Sequence, residues 1–325
     1  MDDSMNATFD LAGVAIEVQC EEPMVAELVG SRLRSLETER VGDPDLVVEI
    51  RGPGSEAGWP LEPTGHGRPI YDAPGAQIQY FESSDQLFVD FEHGARLLCT
   101  LRDGLISIGI TGSELSHAVL AAHPLLTVAL VETMKRFGRY PLHAAALALN
   151  GKGVLVPGAS GAGKSTTSVT LVRAGFDFLA DDTVFLTRST DKLWVDGFPD
   201  EVDVTENTVG RIPELSHLAG APLLPGRDKY SFRVEEIFGI TPLVGCRPAF
   251  LIAPRVVDQP GSELEPLPAS EAFLALVPNV LMTDPAASQA HLDMLADLVE
   301  MVPCLRFRVG SDLDDAAACI AELVA

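Results

Sequence analysis

The stretch GASGAGKSTT at residues 158–167 constrains the fold of this 325-residue chain more than any other. It satisfies G-x-x-x-x-G-K-[ST] without a gap: Gly158, Ala159, Ser160, Gly161, Ala162, Gly163, Lys164 and Ser165, with Thr166 following. Each position has a mechanical reason. The glycines let successive backbone N–H groups turn inward round phosphate oxygens, the lysine brings a point charge to the outer phosphates, and the serine hydroxyl can ligate Mg²⁺. Such a loop works between a strand and the N-terminus of a helix, whose dipole favours an anion. GVLVP reads as the strand and TTSVTLVRAG as the helix, stopped by Gly175. The stretch therefore predicts an α/β unit that binds nucleotide phosphates through residues 158–166. A glycine-rich turn that matches by accident is the bland alternative, and the flanking elements weigh against it. The loop alone does not separate ATPase, GTPase, kinase and carrier.

Two further features narrow the chemistry. Asp181 and Asp182 close the run FDFLADD, seventeen residues beyond Lys164. An acid at a strand end near such a loop can hold Mg²⁺, and at a strand end or bulge both acids can face one site. The competing reading is a turn that begins the strand TVFLT. His143 lies in the apolar run PLHAAALAL, fifteen residues before Gly158; by itself a lone histidine in such a run is more often a satisfied core or edge residue. The other histidines have no ligand spacing, and no HExxH or CxxC occurs, which argues against a zinc enzyme. Arg227, Lys229 and Arg233 form a compact basic group beyond the loop, read either as a solvated loop or as a reach toward a leaving phosphate.

Charge excludes whole classes of partner. The chain has 47 acids against 23 bases, a formal net charge of −24. A nucleic-acid or anionic-lipid partner needs a basic footprint, and no run of bases supplies one. Hydrophobic residues make up 46%, which is a globular composition rather than a disordered one. The five cysteines are odd in number and widely spaced, as expected of buried thiols in a reducing compartment. The acidic N-terminus lacks the basic region of a secretory signal, and LSHAVLAAHPLLTVALVETM, interrupted by polar residues and Pro124, reads as a core helix rather than a membrane span. Cytoplasm is the expected location.

Along the chain, residues 8–19 read as a strand, MVAELVGSRLRSLE as a helix, DPDLVVEIRGPG as a strand and residues 52–75 as a loop. AQIQYFE, QLFVDFE, ARLLCTLR and LISIGIT, separated by turn residues, predict an antiparallel meander. One long helix is expected from Ser113–Glu114 to Phe137, with Gly138 ending it. A boundary near Gly138 divides the chain into residues 1–138, a β-rich α+β region, and residues 139–325, the nucleotide-binding domain. The second part opens with a hairpin about Asn150-Gly151. Residues 188–245 read as irregular, and helices are expected at PASEAFLALV, PAASQAHLDMLADLVEMV and LDDAAACIAELV, with the strand CLRFRVG before the last.

His143, the loop GASGAGKST, the short helix ending in RAG and the ADD at 180–182 together resemble the C-terminal domain of the HPr kinase/phosphorylase family. The likeness covers about residues 140–187, and VPCLRFRVGSDLDDAAACI is similar to the family's ending. The resemblance implies a mixed-sheet P-loop fold of the HPr kinase/phosphoenolpyruvate carboxykinase type, ATP and Mg²⁺ as cofactors, a serine or threonine of a protein or peptide as acceptor, and a homo-oligomer. It implies that Lys164 stabilises the transferring phosphoryl group and that Asp181 is the base on the acceptor hydroxyl. It further implies that Ser165 and Asp182 hold Mg²⁺ and that His143 neighbours the phosphates, with the roles of the two acids interchangeable. The family's glycine-rich RGLGIINV-type signature is absent; only EEIFGITPL stands at 235–243. A kinase of a small hydroxyl compound and an inactive nucleotide-binding regulator are the alternatives.

Overall fold

The computed structural model describes residues 4–39, 42–53, 62–73, 75–91, 94–159, 161–189, 192–198, 200–223 and 228–325. They form two compact units, Met1–Arg139 with Met282–Ser288, and Tyr140–Leu281 with Gln289–Ala325.

The first unit carries β1 (Met5–Leu11), β2 (Val14–Cys20), α1 (Pro23–Leu33), β3 (Leu46–Arg51), β4 (Arg68–Ala73), β5 (Ala76–Phe81), β6 (Gln86–Phe91), β7 (Ala95–Thr100) and β8 (Leu105–Ile110). They join in an eight-stranded sheet of order β1-β2-β3-β8-β7-β6-β5-β4, in which β3 runs parallel to β2 and β8. The meander from β5 to β8 is as the sequence predicts. Two expectations change. Residues 8–19 are a hairpin rather than one strand, turning at Ala12 (φ 53) and Gly13 (φ 80). A two-residue turn of the I′ kind needs positive φ at both positions, and alanine is an unusual choice for the first, so the turn is hidden in the sequence. β4 lies in the stretch expected to be loop.

The expected long helix is also two helices, α2 (Leu115–Leu120) and α3 (Leu126–Met134), separated by an irregular turn. His123 has extended backbone (φ −164, ψ 120), because the residue before a proline is pushed out of the helical region. Leu115–Phe137 is long and apolar enough by composition to cross a membrane, with mean hydropathy 1.4, and half of that window is buried. Gly138, at φ 68, ends the helical segment. Buried Glu132 accepts from Lys135 Nζ at 2.8 Å through both oxygens and from the Thr283 hydroxyl. Arg136 donates to Asp85 (2.7 Å) and to Asp284. These bonds tie Met282–Ser288 into the first unit, which a single boundary near Gly138 does not anticipate.

The second unit holds β9 (Tyr140–Leu149), β10 (Lys152–Pro157), α4 (Lys164–Arg173), β11 (Asp177–Ala180), β12 (Thr183–Ser189), β13 (Lys192–Gly197), β14 (Val202–Val204), α5 (Glu206–Arg211), β15 (Tyr230–Phe232), α6 (Val234–Phe238) and β16 (Gly245–Val256). β17 (Glu263–Pro266), α7 (Ala269–Leu276), β18 (Cys304–Val309) and α9 (Leu313–Val324) follow, with most of α8 (Pro285–Met301) before β18. The sheet is mixed: β10, β16 and β18 are parallel neighbours, while β9 is antiparallel to β10, β11 and β12. Alternation along each strand feeds two cores. Leu147, Val154, Val156 and Phe307 pack with Val169 and Leu171 of α4 and Ile320 of α9. Ala144, Ala146, Leu155 and Leu251 pack with Leu276 of α7 and Leu295 of α8. The chain is thus a mixed-sheet α/β unit preceded by a β-rich region. The stretch 188–245, expected to be irregular, contains β13, and β16 begins at its end.

Candidate active site

The Asn150-Gly151 turn sends β10 back along β9 and delivers the chain at Pro157 into the loop. The loop needs its glycines. Gly161 and Gly163 stand at φ 85 and 93, and a Cβ on Gly158 would lie 3.0 Å from the Ala162 Cβ. Ser160 lies outside the described residues. Lys164 opens α4 and is buried, 7% exposed.

Three polar groups meet there. Lys164 Nζ lies 2.9 Å from His143 Nε2 and 3.6 Å from Asp182 Oδ1, and His143 Nδ1 lies 3.2 Å from the same Asp182 oxygen. An ammonium can only donate, so Nε2 accepts and Nδ1 carries the hydrogen given to Asp182. The sheet explains the meeting. β9 pairs with β12 over Tyr140–His143 and with β11 farther on, and Asp181 and Asp182 occupy the break between those two strands. The backbone carbonyl of Asp182 accepts from Ala144 N–H at 3.0 Å, which pins the break to β9.

The break sends the two acids different ways. Asp181 is buried, at 4% exposure, whereas the Asp182 side chain is 52% exposed. Burial pushes the Asp181 carboxyl above the usual carboxylate range, while Lys164 and the Ser165 hydroxyl pull it down. Its Oδ1 is buried with no hydrogen-bond partner among the described residues. An orphaned carboxylate oxygen beside a serine hydroxyl is a hard-oxygen donor set that fits Mg²⁺. Among the described residues no group of three or more His, Cys, Asp or Glu could cage a metal. Mg²⁺ typically takes one or two protein ligands and shares the rest with phosphates and water.

One more residue, Thr208, reaches the start of α4 without any motif in the sequence marking it. Thr166 Oγ1 lies 2.8 Å from Thr208 Oγ1, and Thr205 caps α5 by accepting from Thr208 N–H. The T-x-x-T spacing could have marked the cap, but nothing local says that α5 meets α4. Of the basic group, Arg233 is buried and lies 3.3 Å from Glu235, Lys229 is half-buried, and Arg227 falls outside the described residues.

Residues 137–203 match the family of the HPr Serine kinase C-terminal domain. Across these residues the chain is HPr kinase-like. The HPr kinase-like segment runs from β9 through the loop, α4 and both acids to β13, so it contains His143, residues 158–166, Asp181 and Asp182. A similar solved structure is the Hpr(Ser) kinase/phosphatase from Coxiella burnetii, 18% identical, covering 56% of this chain and 90% of that one with a TM-score of 0.30. Among curated proteins, none matches.

Proposed function

We propose that the chain is an ATP-dependent, Mg²⁺-requiring kinase that phosphorylates a serine or threonine hydroxyl of a protein or peptide. The observation that carries this reading is the convergence of Lys164, His143 and Asp182 at the mouth of the glycine loop. Phosphoryl transfer needs charge neutralisation and an aligned nucleophile more than covalent help from the protein. Lys164 and the loop amides neutralise the transferred group. Exposed Asp182, oriented by His143, is within an acceptor's reach and takes the hydroxyl proton. Buried Asp181 is out of that reach and lies by Ser165, which supports an exchange of the roles implied by the family resemblance: Ser165 and Asp181 hold Mg²⁺, and Asp182 is the base. Bound there, Mg²⁺ supplies positive charge to the nucleotide phosphates. The free cysteines support a cytoplasmic setting.

The test is transfer of the γ-phosphate label of ATP in an extract of the host cell. Label on a protein or peptide hydroxyl is expected; label only on a metabolite selects the small-molecule kinase, and binding without turnover selects the regulator. Asp182→Asn should lower transfer by about 10²–10⁴-fold while ATP affinity stays near that of the parent. Asp181→Asn should instead weaken the Mg²⁺ dependence of ATP binding. The reverse pair of results would return the base role to Asp181.

A further inference from the structure

An open concavity of about 510 Å³ lies at the C-terminal ends of the parallel strands β16 and β18, outside the matched segment. Arg255, Val256, Asp258, Glu265, Arg306 and Arg308 line it. It borders the phosphate loop, because a Cβ on Gly163 would come 3.0 Å from Val256 Cγ2, and one on Gly158 3.8 Å from Pro254. In open α/β sheets, ligands collect at this end of the strands.

The charges of the concavity are nearly balanced. Arg306 pairs with Glu271 at 2.9 Å, and Arg308 lies 3.5 Å from Glu265 and 3.9 Å from Glu263. Arg255, beside Arg308 in the strand register, and Asp258 have no ion pair among the described residues, and both are exposed. The lining itself holds three guanidiniums and two carboxylates, and Glu271 and Glu263, which pair with Arg306 and Arg308 from outside it, bring the local charge close to balance, which is poor chemistry for a second anion and suits an uncharged guest. A free guanidinium plane can stack on an aromatic ring, the Val256 side chain offers apolar contact, and a free carboxylate accepts from hydroxyls. The volume falls within the range of roughly 300–1,000 Å³ usual for ligand pockets.

We propose that this concavity takes the nucleoside end of the nucleotide whose phosphates the glycine loop holds, with Arg255 stacked on the base and Asp258 accepting from the ribose hydroxyls. The proposal rests on the nucleotide reading of the loop and names the part of the site that distinguishes ATP from its bare phosphates. The test titrates the full chain, in Mg²⁺, with ATP, with inorganic triphosphate and with ATP lacking both ribose hydroxyls. The parent should bind ATP more tightly than inorganic triphosphate. Arg255→Ala should weaken ATP binding roughly 5- to 20-fold and leave inorganic triphosphate within about twofold. Asp258→Ala should weaken ATP but not the analogue without ribose hydroxyls. Unchanged ATP binding in Arg255→Ala overturns the proposal, and so does an equal loss for inorganic triphosphate, which would make Arg255 a phosphate contact. A raised KM for the acceptor with unchanged ATP affinity also overturns it and makes the concavity an acceptor site. If the parent binds neither ATP nor inorganic triphosphate, the kinase reading itself falls.

Discussion

Lys164 sits 7% exposed between a histidine nitrogen and a carboxylate, so its charge is held where solvent screens it weakly. Lys164→Ala should therefore weaken ATP binding and lower transfer by about 10²–10³-fold, read by titration calorimetry and initial rates. A second buried lysine does structural work. Lys135 holds Glu132, whose carboxyl is pushed above its ordinary range by burial. A raised folded pKa means that Glu132 contributes stability at low pH, which is lost as pH climbs from the unfolded value through the folded one. Lys135→Met removes the counter-charge and should cost about 3–5 kcal/mol at pH 8 and less at pH 5, measured by urea unfolding. The thiols are similarly shielded: burial pushes Cys20 up to about 11 and Cys246 up to about 12. In native protein at pH 8 both should resist iodoacetamide for hours and react within minutes once urea is added, as read by intact mass. Lys164 was legible from the loop pattern alone, whereas His143 and the two acids, each with a bland local reading, were singled out by the family resemblance. Thr208 was not legible, because its meeting with Thr166 depends on where α5 docks.

At the scale of elements, the hairpin between β9 and β10 positions the loop, and its turn residues Asn150 and Gly151 stand at φ 54 and 74. A side chain with a Cβ pays a steric penalty there, so Gly151→Val should destabilise the protein by about 1–2 kcal/mol, visible as a lower urea midpoint with an unchanged slope. This turn announces itself as Asn-Gly; the Ala12-Gly13 turn has the same backbone need and no comparable signal. β16 was hidden for a different reason. Its run GCRPAFLIAPRV contains Pro248 and Pro254, and proline argues against a central strand because it cannot donate to the ladder. The sheet absorbs Pro248 by a register shift, since Gly153 pairs with Pro248 and Val154 with Phe250, leaving Ala249 out.

At the scale of the molecule, the net charge of −24 opposes compaction through self-repulsion. Raising salt from about 10 mM to 150 mM shortens the Debye length from roughly 30 to 8 Å, so Tm should rise by a few degrees, checked by calorimetry at constant pH. On the kinase reading proposed above, the same charge argues for an acceptor that is neutral or basic near its target hydroxyl, since a strongly acidic one would be repelled.

Read residue by residue, the chain announces the strand, glycine loop and helix, the Asn-Gly hairpin and the meander, whereas the nearness of His143 and the ADD run to the loop entered only through the family resemblance. For each announced element the information is local: periodicity or backbone freedom. Only the tertiary structure decided that Asp181 turns inward and Asp182 outward, because burial follows from the change of strand partner along β9. It alone brought Thr208 to Thr166 and Met282–Ser288 into the first unit, where Arg136 and Glu132 find partners more than a hundred residues away in sequence. Such pairings are set by the packing of the whole chain, and no short window of sequence carries them.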